Sequence, residues 1–121
     1  MSTLDAKTLE GLRMLEEATG TTLLADLTRT FRDDTPKRVA GLRDALQKGD
    51  ADGLKRIAHS LRGSAGALGA LQLFAAATEL ERAVDHEPAG GWGQLVDAID
   101  AHAVRAIEAL EHELSRATPK R

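Results

Sequence analysis

Apolar residues in this chain return at every third or fourth position in five successive segments. At about 100° per residue that spacing paints one stripe along a helix, whereas a half-buried strand needs strict alternation. Leu9 and Leu12, with Met14 or Leu15, mark a short first segment. Leu24, Leu27, Phe31, Val39, Leu42 and Leu46 mark the second, and Leu54, Ile57, Ala58, Leu61, Ala65 and Leu68 the third. Leu73, Phe74, Ala77, Leu80 and Val84 face inward in the fourth; Trp92, Val96, Ile99, Ala103, Ala106, Leu110 and Leu114 do so in the fifth. Gly20, Gly49-Asp50, Gly69-Ala70 and the His86 to Gly91 loop separate them, with Pro88 and Gly90-Gly91 as breakers. The spacing predicts helices over about 5–18, 22–48, 51–68, 71–86 and 92–117. Four long helices joined by short connections make antiparallel neighbours. The expected fold is all-α, an up-down-up-down four-helix bundle whose short N-terminal accessory helix lies as a lid across one end.

Local chemistry refines these boundaries. Asp5 and Asp50 are placed to cap the first and third helices, and Gly20 and Gly69 to end the first and third. Pro36 falls inside the second helix, where it removes a hydrogen bond and crowds the preceding turn. Because the stripe resumes in phase, a kink near Arg32 to Thr35 is expected rather than two helices. Asp33 and Asp34 point in different directions on a helix and read as a solvated face, not a metal site. A chain of 121 residues with 42% hydrophobic content reads as one domain, 1–121, with a modest core. Its net charge of −3 offers no basic patch for nucleic acid, and it has no cysteine for disulfides or thiolate metal sites. No run approaches the roughly 20 apolar residues of a membrane span, and no secretory signal opens the chain. The expectation is a cytoplasmic protein. Its start at Met1 reads as a free-standing module, although a piece of a larger sensor kinase would look the same.

The third helix carries the unusual feature. In line with His59, on the side away from the apolar stripe, come Gly63, Gly66 and Ala70. A solvated helix normally places Glu, Lys or Gln there, and each glycine costs roughly 1 kcal/mol relative to Ala. The glycines leave the imidazole unshaded, so a partner surface can lie flat on the strip. Arg62 stands near enough to meet a group attached to His59, and Ser60 and Ser64 add hydroxyls. The fork of donors on arginine suits phosphate oxygens, and an exposed neutral imidazole is a nucleophile near pH 7. The constellation reads as a histidine phosphorylated by a partner that docks over it. His86, His102 and His112 have no metal-ligand spacing.

The stretch His59-Ser60-Leu61-Arg62-Gly63-Ser64-Ala65-Gly66-Ala67-Leu68-Gly69-Ala70 resembles the signature of histidine-containing phosphotransfer (HPt) domains. That pattern runs His, any residue, Leu, Lys or Arg, Gly, two small residues, two variable ones, an apolar one and Gly. Arg62 stands where Lys is commoner, which keeps the charge and alters the phosphate geometry. The resemblance implies a helical bundle that carries phosphoryl groups between receiver aspartates. It also implies a polar side chain of the fourth helix against the imidazole, for which Glu81 is the candidate and Thr78 the alternative. The chain has no P-loop, Gly-rich nucleotide box or acidic metal cluster, so it is not expected to be an enzyme that phosphorylates itself from ATP. No cofactor is expected, and Mg²⁺ would belong to the partner receiver. The partners implied are response-regulator receiver domains, with a hybrid sensor histidine kinase as a further candidate, and the expected state is a monomer. The expected chemistry is in-line attack by Nε2 of His59 with Arg62 steadying the phosphoryl oxygens. Two other readings stay open: a docking bundle without phosphate chemistry, and a kinase dimerisation hairpin. The latter normally has an acidic residue and then Arg and Pro after its histidine, whereas Ser60-Leu61-Arg62-Gly63 follows here.

Overall fold

The structure, a computed structural model, describes residues 3–117. The expected tail Thr118 to Arg121 lies outside the described residues. Five α-helices follow one another: α1 (Ala6–Thr19), α2 (Leu23–Lys48), α3 (Ala51–Leu68), α4 (Leu71–His86) and α5 (Trp92–Ala117). His86 closes α4, as the expected range 71–86 has it, and Ala89–Gly91 winds into a single 3₁₀ turn.

Cross-helix pairs set the directions of the chain. Arg43 of α2 binds Asp97 and Asp100 of α5, while Arg32 approaches Glu111, so the two helices run opposite ways. Lys55 pairs with Asp85 and Gly66 faces Phe74, which makes α3 and α4 antiparallel. Arg38 reaches Ser64 and Gly41 faces Ile57, which does the same for α2 and α3. Each long helix packs on two others, α2 and α4 both lying between α3 and α5. Leu42, Leu54, Leu61, Leu80, Val96, Ile99 and Leu110 are fully buried at the centre. Stripes at helical spacing thus become a closed core once four of them face one axis.

Helix ends follow local chemistry where a suitable side chain sits at the right offset. Asp50 Oδ1 accepts the Gly53 amide proton at 2.9 Å, capping α3. Gly69, at φ +71°, turns the chain from α3 into α4, and the Ala70 amide bonds back to the Ala65 carbonyl. Asp5 does not cap α1; its carboxylate instead accepts the Thr8 hydroxyl proton at 2.6 Å. Glu16 caps α2 from another helix, its Oε2 accepting the Leu24 amide proton at 2.7 Å. The α2 stripe does not lapse at Pro36, because buried Thr35 fills the gap between Phe31 and Val39 and the helix runs on without a break.

The N-terminal segment closes the end of the bundle where α3 turns into α4. The Asp5 amide donates to the Gly69 carbonyl at 2.7 Å and the Leu71 amide to the Thr3 carbonyl at 3.2 Å. Arg13 then ties α1 to Glu113 of α5 at 2.8 Å. Leu9 is buried and Leu12 half-buried, but Met14 and Leu15 stay exposed, so the apolar face of α1 is shorter than the spacing predicts. Among the described residues no helix is long and apolar enough to cross a membrane.

Candidate functional site

His59 stands near the middle of α3, on the side turned from Leu54, Ala58, Leu61 and Ala65. Those four residues are fully buried, which fixes the rotation of the helix and forces the imidazole outward. Its side chain is 64% exposed. Below it, Glu81 of α4 is 17% exposed, held where the antiparallel pair brings mid-helix residues level. Its Oε2 lies 2.9 Å from His59 Nδ1. The alternative, Thr78, donates its hydroxyl proton to the Phe74 carbonyl within its own helix. Glu81 is therefore the residue of α4 that meets the imidazole.

Arg62 completes a triad. Its Nε lies 3.2 Å from Glu81 Oε1 and its Nη2 lies 3.1 Å from His59 Nδ1. A single ring nitrogen cannot serve a carboxylate and a guanidinium at once, since the first needs a proton on Nδ1 and the second a lone pair. The carboxylate only accepts, whereas Arg62 has five donors and already holds Oε1. The favoured tautomer is accordingly Nδ1–H donating to Glu81. That leaves the Nε2 lone pair pointing to solvent.

The strip beside the ring is partly as expected. A Cβ at Gly63 would meet nothing within 4 Å, so this position is open. At Gly66 a Cβ would lie 3.5 Å from the Phe74 ring, an ordinary contact. Ala70 does not extend the strip: it precedes α4 and is buried. Ser60 stays at the rim of the imidazole. Ser64 faces the other way, donating to the Ser60 carbonyl and accepting from Arg38 of α2. Phe74 is not core, being 41% exposed, and with Gly63, Gly66 and Ala67 it borders a shallow depression of about 330 Å³ that reaches His59. Leu71 is likewise exposed, one turn earlier on α4. Periodicity placed Phe74 inside because aromatic residues at helical spacing are usually buried; the glycine opposite it was the signal that the seam opens there.

On the N-terminal side of His59, Lys55 and Asp85 bind each other at 2.7 Å. The bond holds the Lys55 ammonium above its ordinary range and the Asp85 carboxyl below its own. The other histidines stand apart. His102 is half-buried on α5 with its Nδ1 2.9 Å from Arg105, and burial, then that guanidinium, lowers its pKa. His86 and His112 are exposed. Among the described residues no group of His, Asp and Glu could hold a metal ion.

The arrangement is an outward imidazole with Nδ1 against a carboxylate, a guanidinium beside it and an unshaded approach. Comparison with known proteins accords with it. The family model for the Hpt domain matches residues 26–117. The crystal structure of histidine-containing phosphotransfer protein B (HptB) from Pseudomonas aeruginosa PAO1 superposes with a TM-score of 0.82 at 27% identity, over 96% of this chain and 97% of that one. A search of curated proteins returns no match. Hpt proteins are phosphotransfer intermediates of two-component signalling that interact with receiver domains and kinases. With the family model covering α3, α4, α5 and nearly all of α2, this chain belongs to the histidine-containing phosphotransfer (Hpt) domain family.

Proposed function

We propose that the chain is a phosphorelay intermediate that takes a phosphoryl group on Nε2 of His59 from one receiver aspartate and passes it to another. The observation that carries this reading is the exposed imidazole whose Nδ1 is engaged by Glu81 while Gly63 leaves its Nε2 side open. Nε2 attacks phosphorus in line with the aspartyl oxygen, and Arg62 turns from Glu81 to the phosphoryl oxygens as their charge moves across. The receiver supplies Mg²⁺ and the acidic side chains; this chain supplies nucleophile, cation and docking face. That face runs over Gly63, Gly66 and Ala67 to Phe74, so the receiver rests on small and apolar groups around the reacting ring.

The protein acts as a single domain over 1–121, as a monomer in the cytoplasm, and binds no cofactor of its own. Four long helices within one chain favour the monomer over a kinase dimerisation hairpin, which needs two copies to fill a bundle. Transfer from a receiver labelled on its aspartate tests the reading. Label appears on the wild-type chain as acid-labile phosphohistidine and is absent from His59→Gln, whose stability stays within about 0.5 kcal/mol because the side chain is outside the core. Label retained by the variant assigns the acceptor elsewhere.

A further inference from the structure

The Glu81 carboxylate stands between two neighbours: Oε2 lies 2.9 Å from His59 Nδ1, and Oε1 is ion-paired with Arg62 Nε at 3.2 Å without a hydrogen bond. Orientation of the ring alone does not require a charge there. A glutamine oxygen accepts the Nδ1 proton equally well. The negative charge matters when the ring itself becomes charged, and phosphoryl transfer makes it so. As the Nε2 lone pair forms the N–P bond, the P–O bond of the aspartyl phosphate breaks and its electron pair stays on the receiver carboxylate. The proton remains on Nδ1. The ring is then an imidazolium bearing phosphate, with Glu81 against its protonated edge.

The reverse step shows why that proton counts. A ring protonated at Nδ1 leaves phosphorus as neutral imidazole, whereas a ring that has lost the proton must leave as an anion. We infer that Glu81 is a positioning residue whose charge, beyond its hydrogen bond, keeps phosphorylated His59 protonated at Nδ1 and therefore competent to give the phosphoryl group away. This rests on His59 being the acceptor. The surroundings isolate the effect. From α3, Asp52, Lys55 and Arg56 line the depression beside the ring and Arg62 lies against it; from α4 Glu81 meets the ring, while Asp85 is bound to Lys55. Arg38 of α2 is turned to Ser64. Among the described residues Glu81 is the carboxylate in hydrogen-bond contact with the ring. When Arg62 moves to the phosphoryl oxygens, Glu81 is left to the imidazolium alone.

The test phosphorylates the intact chain with potassium phosphoramidate, whose P–N bond breaks and whose nitrogen leaves as ammonia. The ³¹P signal of the product is then followed against pH in wild type, Glu81→Gln and Glu81→Asp, with His59→Gln as the site control. The same titration of the wild-type chain unfolded in urea gives a reference that needs no variant. The midpoint in the folded wild type is expected about one pH unit above both the unfolded chain and Glu81→Gln, the displacement typical of an opposite charge in contact. Glu81→Asp, which keeps the charge, recovers most of it. The pH above which the labelled protein stops donating to a receiver moves with the midpoint. Coincident midpoints in folded wild type, unfolded wild type and Glu81→Gln overturn the inference and leave His59 as acceptor. No phosphohistidine signal in wild type, or the same signal in His59→Gln, overturns the acceptor assignment itself.

Discussion

Gly63 sets helix stability against function, and the two respond with opposite signs. The position is exposed, lies inside α3, and has nothing within 4 Å of where a Cβ would stand. Gly63→Ala therefore gains helix propensity without steric cost, up to about 1 kcal/mol, and Gln gains slightly less. For 121 residues the entropy of unfolding is about 0.25 kcal/mol per kelvin, so the melting temperature rises by about 4 °C for Ala and about 3 °C for Gln. Side chains on a helix lean toward its N-terminus, so a residue at 63 leans over His59, one turn earlier. In-line attack needs the reacting atoms about 3–3.5 Å apart, and a displacement of about 1 Å costs on the order of a hundredfold in rate. Gln extends well past that tolerance, so transfer from a labelled receiver falls at least a hundredfold. Ala, adding one methyl, loses less than about tenfold. Quench-flow with the labelled receiver reads the rates and thermal circular dichroism reads the stability. A Gly63→Gln chain that unfolds makes the glycine a packing element. One that is stable and transfers at the wild-type rate refutes the access argument.

Arg62→Ala leaves the fold intact but removes charge-assisted contacts of about 1.5–3 kcal/mol from the transferring phosphoryl group. Transfer slows roughly ten- to a hundredfold; unchanged transfer and phosphohistidine lifetime would show that the guanidinium stays on Glu81. Gly69→Ala has the opposite stability sign to Gly63→Ala. At φ +71° a Cβ would also press on Thr8 Cβ at 2.9 Å, so the melting temperature drops by several degrees, by about 1 kcal/mol or more. A rise would mean the α3–α4 turn relaxes freely. The Arg13 hydrogen bond holds the Glu113 carboxyl below its ordinary 4.5. A carboxyl lowered on folding contributes stability that is present above pH 4.5 and lost as pH falls through its folded value. The melting curves of wild type and Glu113→Gln should thus separate above that pH and converge below it. Parallel curves across pH 3–7 would remove the bond from the stability of the α1 lid.

The helices were legible because their determinants are local. Apolar spacing, Asp50 three residues before the Gly53 amide, and glycines at Gly49 and Gly69 act within one turn of chain, and such offsets can be counted along a sequence. The far-side position of His59 was legible for the same reason, since the burial of Leu54, Ala58 and Leu61 fixes the rotation of α3. What depended on a second helix was not. Glu16 capping α2, Ser64 turning to Arg38, Ala70 sinking into the α3–α4 turn and Phe74 standing exposed each follow from where a neighbouring element lies. The choice of Glu81 over Thr78 is the sharpest case. On a single α4 the two are one turn apart and nearly on one face, so spacing ranks them equally. The level at which α4 stands against α3 is set by Leu61, Leu73, Ala77 and Leu80 packing into one core, and that packing brings the Glu81 carboxylate to the imidazole. Sequence by itself determined which side of α3 presents a histidine; tertiary packing decided which charge stands behind it, because register between helices is a property of the whole core and not of any one turn.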